Sequence, residues 1–81
     1  MMYEDNIMWN KIRYVAEELK LQFGGRFVII HNPLIKEYTI YFIPNEIWEF
    51  NFYIPDNIVM TRTPQTMYHR CIEEMYKHIH L

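Results

Sequence analysis

From Tyr38 to Ile54 the chain reads Y-T-I-Y-F-I-P-N-E-I-W-E-F-N-F-Y-I, with apolar residues at every second position on both sides of a proline turn. Trp48, Phe50, Phe52 and Ile54 are separated by Glu49, Asn51 and Tyr53; Tyr38, Ile40 and Phe42 are interleaved with Glu37, Thr39 and Tyr41. A period of two is that of a strand with one side in a core. Pro44-Asn45-Glu46 supplies a preset φ and a turn-tolerant residue between the runs, so a hairpin is predicted. Centred on Asn45, it would set Phe42 opposite Trp48, Ile40 opposite Phe50 and Tyr38 opposite Phe52. The reverse side would then pair Tyr41 with Glu49, Thr39 with Asn51 and Glu37 with Tyr53. A slip of one residue would turn the whole aromatic set to water, so the pattern specifies which side is inside.

The flanking segments supply the rest of a small domain. Arg26 to His31 is apolar at four consecutive positions and reads as a further strand. With a three-residue connection at Asn32-Pro33-Leu34, Val28 and Ile30 fall in the core and Phe27, Ile29 and His31 on the far side; one more residue would reverse this. Before it, Met8, Ile12, Val15, Leu19 and Phe23 step by three or four along a helix capped at Asp5 or Asn6. Lys11, Arg13, Glu17, Glu18 and Lys20 are expected on its outer side, and Gly24-Gly25 closes it. After the hairpin, Phe52 to Val59 echoes Tyr41 to Trp48, which predicts a short fourth strand over Ile58 to Thr61. Thr63-Pro64 then reads as cap and first residue of a second helix, with Met67, Cys71, Met75 and Ile79 inward. Arg13 with Glu17, Arg70 with Glu74 and Glu73 with Lys77 stand at ion-pair spacing. The expected architecture is α+β, a two-layer domain over residues 1–81: an antiparallel meander of three to four strands between an N-terminal and a C-terminal helix, in αβββα order.

Composition narrows the function classes. A chain of 81 residues, 51% hydrophobic and 17% aromatic, is one folding domain. Its net charge of −2, with basic residues scattered, offers no stripe for nucleic acid or anionic membrane. No basic, then apolar, leader opens it and no ~18-residue apolar run crosses a bilayer, so a soluble, cytoplasmic protein is expected. Cys71 alone can form no internal disulfide.

No reaction-specific motif is present. His69 and Cys71 are two apart on a helix and point roughly 200° apart, so they form no dyad, and Cys71 reads as a buried structural thiol. His69 with Glu73, or His78 with His80, lacks a third metal ligand. The chain contains no serine, and its only glycines are Gly24 and Gly25, too few for a phosphate-cradling loop. The expectation is a non-enzymatic protein without metal or cofactor.

What remains is the sheet surface that the helices leave open. Phe27, Ile29, Glu37, Tyr41, Glu49 and Tyr53 are the expected partner-binding residues, an apolar patch with a polar rim of the kind that marks association. The expected partner is another protein or a second copy of the chain. Abundant isoleucine, asparagine and tyrosine with a single alanine, Ala16, point to an AT-rich coding sequence. That setting suggests an accessory protein of a phage or mobile element, or an inhibitor of a host protein. The order helix, three strands, helix also resembles that of the double-stranded-RNA-binding domain, which implies nucleic-acid binding as the alternative. Domains of that family hold phosphates through a lysine-rich start to the second helix; here that place reads Thr63-Pro64-Gln65-Thr66.

Overall fold

A computed structural model describes residues 2–79, with side chains from residue 6 onward. Helix α1 (Met2–Phe23) leads into strands β1 (Arg26–Asn32), β2 (Glu37–Ile43) and β3 (Phe50–Pro55), followed by helices α2 (Asp56–Thr61) and α3 (Pro64–Ile79). The sheet is antiparallel in the order β1-β2-β3. Tyr38, Ile40 and Phe42 of β2 and Phe50, Phe52 and Ile54 of β3 share one core with Ile12, Val15 and Leu19 of α1 and Met67, Cys71 and Met75 of α3. Both long helices therefore lie on one side of the sheet, the two-layer α+β arrangement that the alternation predicts.

Two connections set the register. Asn45 Oδ1 accepts the backbone N–H of Ile47 at 2.8 Å and of Trp48 at 2.9 Å, which holds the chain in a longer turn than the proline alone requires. Phe42 accordingly faces Phe50, Ile40 faces Phe52 and Tyr38 faces Ile54, two residues from the expected pairing. A shift of two keeps every side chain on its expected side. Trp48 is left ahead of the strand, stacked on Phe50 at 5.8 Å. In the first hairpin the connection is four residues, Pro33 to Lys36, with Asn32 Oδ1 accepting Leu34 N–H at 3.1 Å and Lys36 in the left-handed region at φ 54°. That single extra residue reverses β1: Phe27, Ile29 and His31 pair with Phe42, Ile40 and Tyr38 on the helix side, and Val28 and Ile30 face out.

The expected fourth strand is helix α2. Its backbone begins by donating Asp56 N–H to the Lys36 carbonyl at 2.9 Å, then turns helical, with Arg62 N–H reaching Ile58 O. Tertiary partners at both ends outweigh the β-branched composition of Ile58-Val59. His31 Nε2 stands 3.0 and 3.2 Å from the two carboxylate oxygens of Asp56, both acceptors, so Nε2 carries the proton. At the other end Lys11 Nζ donates to the carbonyls of Val59, Met60 and Arg62 at 3.0, 3.1 and 3.1 Å, a cation placed where a helix leaves acceptors open. Lys11 is therefore a bracket between α1 and α2 and not part of a solvent-facing side.

The helix ends follow the sequence more closely. Thr63 Oγ1 accepts Thr66 N–H at 3.2 Å and caps α3, with Pro64 first in the helix. Arg13 and Glu17 approach to 3.6 Å; among the described residues Arg70–Glu74 and Glu73–Lys77 do not close. Ile79, expected inward, is exposed. Helix α1 runs through Asp5 and Asn6 instead of starting there, and the Asp5 side chain lies outside the described residues. Gly24 and Gly25 end it at φ 78° and 85°, with Gly24 N–H on the Lys20 carbonyl at 2.7 Å. A Cβ at Gly24 would meet open space, whereas one at Gly25 would drive into the Ile43 carbonyl and lie 2.6 Å from Pro44 Cα.

Urea unfolding should separate these roles. Gly24→Ala is expected to cost about 1 kcal/mol from backbone conformation alone, and Gly25→Ala about 3 kcal/mol because close packing adds to it. Lys11→Met, which keeps the stem and removes the three donated bonds, should cost about 1–3 kcal/mol.

Candidate functional site

Alternation along three paired strands decides what the uncovered side of the sheet presents. Val28, Tyr41 and Asn51 form one cross-strand row, Ile30, Thr39 and Tyr53 the next, and Asn32, Glu37 and Pro55 the last. Val28 is 57% exposed, Ile30 48% and Tyr53 58%, so three large apolar groups stand in water on the two outer strands. Tyr41, beside Val28, and Ile43, opposite Arg26 at the end of β2, are half-buried. Thr39, on the middle strand between Ile30 and Tyr53, is only 8% exposed, shielded by its neighbours. Arg26 at one end and Glu37 at the other give this face opposite charges at its two extremes.

Of the six residues expected here, Tyr41, Tyr53 and Glu37 are on the outer face. Phe27 and Ile29 are not: with β1 reversed they turn to the helix side, half-buried against the core. Glu49 precedes β3 and is exposed in the connecting loop. Val28 and Ile30 take the places expected for Phe27 and Ile29. The clue to them was Asn32, whose side chain can stabilise a turn and so lengthen the connection by one residue. Further exposed apolar groups, Leu34 and Ile35 in the first turn and Ile47 in the second, lie beyond the strand ends.

A second feature lies at the β3 edge. Helix α3 packs chiefly on α1, and between it and β3 a groove of about 260 Å3 opens, lined by Tyr53, Ile54, Pro55 and Ile58 on one side and Met67, Arg70, Cys71 and Glu74 on the other. Cys71 is buried there, and its thiol is pushed up from its ordinary 9.0 to about 12, first by removal from water and then by the Glu74 carboxylate. A thiol in that state is a poor nucleophile. Across the helical layer the Tyr68 phenol is also raised, first by partial burial and then by Glu18, Tyr76 and Tyr14.

No grouping of three or more potential metal ligands occurs among the described residues. The expected His78/His80 pair falls partly outside them, and His78 itself packs its ring 6.2 Å from Phe50. The His31–Asp56 pair ties β1 to α2. No described helix is long and apolar enough to cross a membrane. Neither a protein-family model, a curated protein nor a solved structure matches this chain.

Thiol chemistry offers a direct check on the groove. Cys71 should resist disulfide reagents at pH 8 in the native protein and react at an ordinary rate once unfolded. The sign of the shift also sets a pH effect. With the folded value above the unfolded one, stability due to the protonated thiol is complete below about pH 9 and is lost as pH climbs through the folded value of about 12. Fast labelling of folded protein would contradict the burial.

Proposed function

We propose that this chain is a non-enzymatic binding module that docks another protein, or a second copy of itself, on the outer surface of its sheet. One observation carries the proposal: Val28 and Ile30 on β1 and Tyr53 on β3 are each about half exposed, on either side of a nearly inaccessible Thr39 on the middle strand. Apolar and tyrosine side chains held on rigid strands lose little conformational freedom on contact, so their burial converts efficiently into affinity. Arg26 and Glu37 at the two ends can orient a partner without adding a buried charge. The compositional bias is in keeping with an accessory protein of a phage or mobile element, such as an inhibitor of a host protein.

Duplex RNA binding is the alternative class, and it draws on element order alone. The start of α3 is occupied by the Thr63 cap with Gln65 and Thr66; Arg62 and Arg70 are near it, and the Lys11 ammonium beside them is taken up by the carbonyls of Val59, Met60 and Arg62. With so few phosphate contacts the electrostatic part of such binding would be small.

Affinity capture from the source cell with tagged wild type, Val28→Glu and Ile30→Glu tests the assignment. A partner retained by wild type should fall at least about tenfold with either variant, the scale expected when a charge replaces an apolar group at the centre of an interface. Undiminished capture by variants with wild-type circular dichroism would reject the outer face as the site. A titration with duplex RNA over a salt series should give no saturable binding, and a steep salt-dependent isotherm would favour the alternative.

A further inference from the structure

Edge strands expose backbone donors and acceptors that can pair with another strand. Which ones β3 exposes follows from the hydrogen bond of Asp56 N–H to Lys36 O. In an antiparallel ladder that bond makes 56/36, and by alternation 54/38, 52/40 and 50/42, the pairs that face each other with both backbone groups. Asn51 and Tyr53 therefore aim their N–H and C=O out of the sheet. Pro55, with no N–H to offer, takes an outward position as well, where a proline in a sheet is tolerated.

Apart from Pro55 at its end, this edge carries few of the usual protections. Phe50–Pro55 contains no lysine and no inward charge, and its pairing with β2 runs without a bulge. Helix α1 packs on β1 and β2, whereas α3 makes little contact with β3 and, among the described residues, leaves the groove beside it open.

We infer that β3 pairs antiparallel with β3 of a second copy, around a two-fold axis through Phe52, to give a continuous six-stranded sheet. About that axis Asn51 of each copy meets Tyr53 of the other, and the four outward backbone groups on each side are satisfied by four N–H···O=C bonds. The charges argue for a second copy over an unrelated strand. Glu74 lines both the groove along Asn51 to Pro55 and the smaller cleft along Trp48 to Phe52, whereas Arg70 lines only the former, so along β3 Glu74 lies toward the half before Phe52 and Arg70 toward the half after it. A two-fold at Phe52 exchanges those halves and brings Arg70 of each copy opposite Glu74 of the other, a self-complementary arrangement of the kind an isologous interface requires. The pairing uses the sheet's edge and is independent of what docks on its outer face.

Sedimentation equilibrium over a dilution series tests it, with unchanged circular dichroism required of each variant. Wild type should sediment at twice the 10.1 kDa chain mass. Arg70→Glu and Glu74→Arg, each of which sets like charges across the axis, should each fall to the chain mass. An equimolar mixture of the two should recover the dimer, because only the mixed pair restores both attractions, and a merely structural defect would not be rescued in this way. Monomeric wild type overturns the inference. So does a dimer that survives both variants, a mixture that stays monomeric, or a dimer abolished only by Val28→Glu, which would assign self-association to the outer face.

Discussion

Burial of β2 between its neighbours, with Ile40 and Phe42 wholly removed from water under the helices, is the interaction on which the rest depends. Removing a buried phenylalanine or isoleucine side chain generally costs ~2–5 kcal/mol, against a total of about 5–15 for a domain. Two long helices suffice to cover one side of a three-stranded sheet, and in this chain both are used there. Every outward position on β1, β2 and β3 is consequently surface, and the residue types at those positions decide what kind of surface it is. Val28, Ile30 and Tyr53 make it apolar, and among the described residues Thr39 is kept dry by those neighbours and not by a covering element.

Alternation and parity explain how much was legible beforehand. The run from Tyr38 to Ile54 places its side chains correctly although the turn is longer than expected, because an error of two residues leaves inside and outside unchanged. Phe27-Val28-Ile29-Ile30 has no such protection. Four consecutive apolar residues fit either side equally well, so the length of one turn, set by the Asn32 side chain and the left-handed Lys36, decides between them. Half of the outer patch was thus visible in the pattern and half was hidden in a loop. The α2 helix was hidden for another reason. Its residues resemble a strand locally, and the groups that make it helical, Lys11 and His31, lie on α1 and β1, far away in sequence.

Lys11 and His31 also show how polar groups carry order in a core that is mostly aliphatic and aromatic. Nonpolar contacts tolerate sliding, while three carbonyls converging on one ammonium and a carboxylate facing one imidazole do not. They fix where the chain leaves β3 and enters α3. That in turn sets the width of the groove where Cys71 is buried, so a thiol with no evident chemistry serves as a compact, apolar filler.

The packing of α3 on α1 has a consequence during synthesis. Both hairpins join strands that are near neighbours in sequence and can pair as soon as they leave the ribosome, but the helical layer is built from segments some fifty residues apart. Until α3 emerges, the inner stripe of α1 and the aromatic side of the nascent meander have only each other. Until α3 docks, the folding polypeptide is therefore a half-roofed sheet, and closing that distant contact is the step with the largest cost in loop entropy.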